Sequence, residues 1–134
     1  MEMKISFPGG KKVIAEFDGH TVVTDQPVKY VGGGTAPTPY ALFLSSIGTC
    51  AGIFILSFCQ ERNIPTDGVS ITQRVEYVAT LTGGQKMDKI VLEINVPPSF
   101  PEKYHKAIIK VADQCAVKRT IAEPPTFEVK TVVI

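Results

Sequence analysis

From Ala41 to Cys59 the chain reads ALFLSSIGTCAGIFILSFC, nineteen residues without a charge. A helix of this kind either spans a bilayer, which takes about 20 apolar residues, or is covered by protein on every face. Ser45, Ser46, Gly48, Thr49 and Gly52 weaken the apolar character in its middle. Amphipathic strands lie on both sides, where a single-span protein has no place for them, so a buried helix is expected and a membrane span is not. Thr38 can cap this helix with Pro39 as its first residue, a pairing that satisfies a free N–H and presets the backbone. Glu61-Arg62-Asn63 and Pro65 end it.

The flanks read as strands. Met3, Ile5 and Phe7 alternate with Glu2, Lys4 and Ser6, and Pro8-Gly9-Gly10 turns the chain. Val13, Ala15 and Phe17 repeat the period of two, and Asp18-Gly19 before His20 to Val23 is the signature of a type I′ hairpin. A three-stranded antiparallel meander follows from this. Residues 24 to 38 hold Pro27, Gly32-Gly33-Gly34 and Pro37 without a period, and read as a loop. Beyond the long helix, Val69, Ile71, Val75, Tyr77, Ala79 and Leu81 form one strand, Gly83-Gly84 a turn, and Ile90, Leu92, Ile94 and Val96 its hairpin partner. Ser99-Phe100-Pro101-Glu102 has capping-box spacing, and opens a helix with the stripe Tyr104, Ala107, Ile108, Val111 and Ala112, on which Cys115 is next. Pro124-Pro125 breaks the chain, and Thr126 to Ile134 predicts a last strand. The order is βββ-α-ββ-α-β in one domain over residues 1–134, an α+β fold with an antiparallel sheet.

Lysine and arginine number 14 against 13 acidic residues, a net charge of +1, and the basic groups Lys11-Lys12 and Lys118-Arg119 are only pairs. Nucleic-acid binding is therefore set aside. With 44% hydrophobic and 20% charged residues, the apolar content is high for so small a monomer and points to an oligomer. Met1 to Phe7 carries Glu2 and Lys4 and has no continuous apolar stretch, so it does not read as a signal peptide, and a cytoplasmic location is expected.

Three cysteines, Cys50, Cys59 and Cys115, are too few for a disulfide scaffold and too far apart for a CxxC site. Cys50 shares a helix face with Ile47, Ile53 and Phe54, the surroundings of a core thiol. Cys59 lies nine residues on, about 180° around the helix and about 13 Å along it, so the two cannot bond while the helix is intact. A partner for Cys50 must come from elsewhere, which leaves Cys115. Lys118 and Arg119 follow Cys115, and cations lower a thiol pKa if they face it. His20 and His105 sit at polar positions, and no spacing gathers a ligand set, so no metal is expected. The triple glycine lacks the Lys-Ser/Thr of a phosphate loop and reads as a flexible or close-packed connection.

Gly32-Gly33-Gly34-Thr35-Ala36-Pro37-Thr38-Pro39, an uncharged helix with a cysteine eleven residues after Pro39, and a second cysteine in Ala112-Asp113-Gln114-Cys115-Ala116-Val117 resemble the OsmC/Ohr superfamily. The resemblance covers nearly the whole chain. It implies an intertwined homodimer, with antiparallel sheets from both subunits around two long central helices. It also implies a thiol peroxidase acting on organic hydroperoxides without metal or organic cofactor. By position, Cys50 matches the cysteine that becomes a sulfenic acid, and Cys115 the thiol that condenses with it to a disulfide, which an external dithiol reduces.

Three features depart from the family. Its usual glutamate after the helix-opening proline is Tyr40 here, and the arginine that activates the thiolate is missing upstream, which leaves Lys29 as the stand-in. A mid-helix thiol gains little from the helix dipole, so without a nearby cation burial would raise the Cys50 pKa. The proline that often follows the second cysteine is Ala116. A second reading is therefore a binding protein that holds a small apolar or lipid-like ligand in the same inter-subunit pocket.

Overall fold

Asp18 and Gly19 both adopt left-handed backbone, with φ of 48° and 77°, as a type I′ turn demands at its two central positions. They join β2 (Lys12–Phe17) to β3 (His20–Thr24), with Phe17 opposite His20 and Val13 opposite Thr24. β1 (Lys4–Gly9) completes the antiparallel order β1-β2-β3. The turn into β2 falls on Gly10 and Lys11 rather than on Pro8-Gly9-Gly10, and the register of β1 shifts between Ser6 and Gly9. Pro8 lies in that interval, and its missing N–H interrupts the ladder there. The computed structural model describes Met1 to Ile134, and the chain divides into two compact units, Met1–Ser46 and Ile47–Ile134.

In the first unit the loop after β3 is closed by one carboxylate. Asp25, 1% exposed, accepts from the backbone N–H of Gln26 (2.8 Å), Gly33 (3.4 Å) and Thr35 (3.1 Å) and from the Thr35 hydroxyl (2.7 Å). These donors hold its carboxyl at about 2, the Thr35 hydroxyl contributing most. A Cβ at Gly32 would lie 1.8 Å from the Gln26 carbonyl oxygen, so the triple glycine is a close-packed connection. Thr38 caps the next helix as expected, its hydroxyl oxygen accepting from the Ala41 N–H at 3.1 Å.

That helix, α1 (Pro39–Glu61), stops at Asn63, which has φ of 54°. The Ile64 N–H reaches the Cys59 carbonyl at 2.9 Å and the Asn63 N–H the Gln60 carbonyl at 3.2 Å, a Schellman motif with asparagine where glycine is commonest. The expectation of burial on every face does not hold within one chain. The residues of α1 that are buried form one stripe, Ile47, Ala51, Ile55, Phe58 and Cys59, while Ile53 and Leu56 are open. By length and composition α1 would also pass for a membrane span, but its stripe is packed inside the second unit.

There β4 (Ser70–Ala79) and β5 (Gln85–Asn95) pair antiparallel, with Ile71 opposite Ile94 and an irregularity between Glu76 and Tyr77. Ile71, Leu92, Ile94 and Val96 pack on the α1 stripe together with Ile108 and Ala112 of α2 (His105–Ala112). Three expectations fail here. Ser99 caps nothing: a 3-10 turn over Glu102–Tyr104 without a side-chain cap precedes α2, because Phe100 is drawn into the core at 5% exposure. The helical stripe also ends at Ala112. Cys115 has extended backbone (φ −51°, ψ 121°) and begins a separate helix, α3 (Ala116–Ala122). Nor do Thr126 to Ile134 form a strand: they pair with no strand of this chain, and Phe127, Val129 and Val133 are exposed. Alternation prepares a strand, but only a ladder partner makes one.

Candidate functional site

Two of the three thiols meet in the second unit. Cys115 is the N-cap of α3, and its sulfur accepts from the Lys118 N–H at 3.4 Å. The same residue is fully buried, and its thiol donates to the Ile47 carbonyl of α1 at 3.8 Å. Ile47 lies one turn before Cys50, so this contact sets Cys115 and the first turn of α3 beside the Cys50 sulfur. All three cysteines are free thiols, and Cys50 alone is half-exposed.

The Cys50 thiol is held below its ordinary range. The backbone N–H of Val117 is the largest cause; the Cys115 thiol, the Ala116 N–H and the Arg119 charge act in the same direction, and burial opposes them. This reverses the expectation for a mid-helix thiol. Burial does push upward, but donors from a second helix outweigh it. The Cys115 proton can serve the Ile47 carbonyl while Cys50 is a thiol, and the sulfur once it is a thiolate. Cys59, in the core, is pushed up by burial against a partial pull from Arg62, the condition of an inert structural thiol.

Sequence reasoning weighed Lys118 and Arg119 as neighbours of Cys115. Arg119 acts on Cys50, whereas Lys118 is paired with Asp113 at 2.6 Å. The N–H groups of Ala116 and Val117 were missed, and backbone donors leave no residue-type signal to find them by. Lys29 belongs to the first unit, in a 3-10 turn over Val28–Tyr30, with its ammonium 5.0 Å from the centre of the Tyr30 ring. Neither histidine belongs to a group of three or more His, Cys, Asp or Glu side chains that could hold a metal.

The second unit also holds a cavity of about 620 Å³, walled by Ile47, Ile90, Leu92, Ile94, Ile109 and Ile121, with neither Cys50 nor Cys115 in its lining. Asp88, Lys89, Asp113 and Lys118 supply its polar part. Ile47 is common to both features: its side chain lines the cavity and its carbonyl holds Cys115.

Solved structures share this architecture. A Psychrobacter arcticus protein named for osmotic-stress induction and a detoxification response aligns with a TM-score of 0.70 at 19% identity, over 88% of this chain and 85% of that one. An organic hydroperoxide resistance protein of Legionella pneumophila aligns with a TM-score of 0.57 at 23% identity, over 90% and 89%. The organic hydroperoxide resistance protein OhrB of Bacillus subtilis gives 0.54 at 19% identity, over 90% of each chain. No curated protein matches the chain. The family described as OsmC-like protein matches residues 32–130, a stretch that holds the triple glycine, α1 and both clustered thiols. With most of its length matched and its α+β architecture shared, the chain belongs to the OsmC-like protein family.

Proposed function

We propose that the protein is a thiol peroxidase for organic hydroperoxides, with Cys50 as nucleophile and Cys115 as resolving thiol. The observation that carries this reading is a half-exposed Cys50 sulfur whose thiolate is favoured and which lies against a second, buried thiol. The Cys50 thiolate attacks the terminal peroxide oxygen, the O–O bond breaks, and the alkoxide takes a proton to leave as the alcohol. Cys115 then attacks the Cys50 sulfenic acid, releasing water and forming the Cys50–Cys115 disulfide. An external dithiol returns two electrons and two protons, restoring both thiols. The cavity wall of isoleucines and Leu92 suits an apolar substituent on the peroxide.

Arg119 and Lys29 are the cations offered to this chemistry, Arg119 through its charge on Cys50 and Lys29 as the stand-in for the family arginine. The open face of α1 and the unpaired segment 126–134 support a homodimer in which a second copy covers both.

The test is thiol counting after anaerobic addition of cumene hydroperoxide to reduced protein. Two thiols should disappear, leaving Cys59. Cys115→Ser should yield a trappable sulfenic acid at Cys50, and Cys50→Ser should be inert while still folded. Arg119→Gln should slow sulfenic-acid formation more than Lys29→Gln does. Three intact thiols after prolonged exposure would overturn the proposal and favour the second reading, an apolar ligand held in the cavity, for which a co-purifying molecule in native mass spectrometry is the evidence to seek.

A further inference from the structure

We propose that the outer face of α2 is the docking surface for the reductant of this site, a dithiol protein that presents an acidic surface around its thiols. The inference rests on the peroxidase reading, which requires that a Cys50–Cys115 disulfide be reduced from outside.

Lys103, Lys106 and Lys110 are spaced by three and four residues, so they form one row along α2 and the turn that leads into it. All three are exposed, while Ala107, Ile108, Val111 and Ala112 turn toward the core. None of the three takes part in an ion pair. Arg62 extends the row: its guanidinium lies 5.7 Å from the centre of the Tyr104 ring, and the Lys103 ammonium lies 5.0 Å from the same ring. The nearby carboxylates are Glu61, paired with Arg62 at 3.5 Å, Asp113, paired with Lys118, and Glu102 at the start of the turn. Like charges at helical spacing repel one another. A chain with a net charge of only +1 thus sets three lysines without ion-pair partners in one row, and an anionic surface would relieve the repulsion between them.

The location gives the partner its role. α2 runs through Asp113 and Gln114 directly into Cys115, so a protein bound to its outer face is a few residues of chain from the disulfide. Cys115 is fully buried and Cys50 half-exposed, which makes the Cys50 sulfur the point of attack. The incoming thiolate bonds to Cys50, the S–S bond breaks, and Cys115 leaves as a thiolate onto which the Lys118 N–H already points. The second thiol of the partner then displaces Cys50, so that the partner leaves as a disulfide and both cysteines are reduced.

The experiment uses two synthetic peptides with the same Cys-Gly-Pro-Cys core, one flanked by glutamates and the other by lysines, with dithiothreitol as the uncharged control. The oxidised protein is prepared with diamide. Failure of a hydroperoxide to form the disulfide then counts against the peroxidase reading alone. At low ionic strength the acidic peptide should reduce the protein at least about tenfold faster than the basic one. The preference should collapse at about 0.5 M salt and in the triple variant Lys103→Gln, Lys106→Gln, Lys110→Gln. It should survive in a control that removes equal charge at Lys4, Lys11 and Lys12, and dithiothreitol should reduce every form alike. Binding of serine versions of both peptides, followed by fluorescence anisotropy, reads docking without any disulfide. Equal rates and equal binding for the two peptides would overturn the proposal, as would a control triple variant that loses the preference as fully as the α2 variant.

Discussion

Replacing Ala116 by proline should stabilise the protein and raise the pKa of the Cys50 thiol at the same time. Ala116 is the first residue of α3, where an N–H has no intrahelical acceptor and proline is well tolerated. The preceding residue, Cys115, already has the extended backbone that a following proline requires. The side chain of Ala116 is exposed, so the outer carbons of the ring have room, while its Cδ takes the place of the N–H that faces Cys50. Restricting the unfolded chain by one φ angle is worth about 0.4–1 kcal/mol. Unfolding a chain of 134 residues carries about 0.28 kcal/mol/K of entropy at the midpoint, so Tm should rise by about 1–4 °C. The Ala116 N–H is also one of the donors that lower the Cys50 pKa, and the variant lacks it.

The sign of the pH dependence follows from that loss. A thiol held below its ordinary value of 9.0 adds stability at pH above the unfolded value and loses it as pH falls through the folded one. The variant draws less from this source, so its advantage should be largest near about pH 5 and shrink toward about pH 9. Thermal melts across that range, together with the pH midpoint of Cys50 alkylation read by peptide mass mapping, check both halves. A gain that does not shrink with pH, together with an unmoved alkylation midpoint, would refute the contact between Ala116 and the thiolate. A net loss of stability at every pH would refute the placement of the start of α3.

Gly32→Ala should cost about 1–3 kcal/mol in urea denaturation, the usual range for overpacking, because its Cβ would sit 1.8 Å from the Gln26 carbonyl oxygen; a neutral substitution would contradict the close-packed loop. Asp25 has a folded pKa of about 2 against 3.8, so its carboxylate stabilises the protein above pH 3.8 and that contribution disappears as pH falls from there through 2. Asp25→Asn should melt lower at neutral pH, and its deficit should narrow across this acid window; a deficit that does not change with pH would reject the carboxylate's role.

What the sequence disclosed depended on how local the deciding interaction is. The Asp18-Gly19 hairpin, the Thr38 cap and the Asn63 terminus are each settled within a few residues, and each forms where its residue types indicate. The stripe through Tyr104 and Ile108 was legible as well, but not its end at Ala112. Neither Asp113 nor Gln114 is a helix breaker by type. The break places the Cys115 sulfur against the Ile47 carbonyl, a contact 68 residues apart in sequence. The segment 126–134 shows the same limit from the other side, with strand alternation present and no partner in the chain to complete it.

The site divides along the same line. Cys50 and Cys115 could be picked out as residues, and the missing glutamate and arginine led to an expected rise in the Cys50 pKa. That expectation failed because the compensating donors are backbone groups at the first turn of α3. The substitution of Ala116 for the family's frequent proline, which looked like a further departure from the active type, bears directly on this. A proline there has no N–H to give, whereas an alanine offers one to the Cys50 sulfur. Two departures that separately suggest a weakened site thus have opposite effects on the thiolate. Set against the arginine and the proline that the family resemblance implies, this chain lacks one side-chain charge and has one more main-chain donor, in the same turn that carries Val117 and Arg119 to the sulfur.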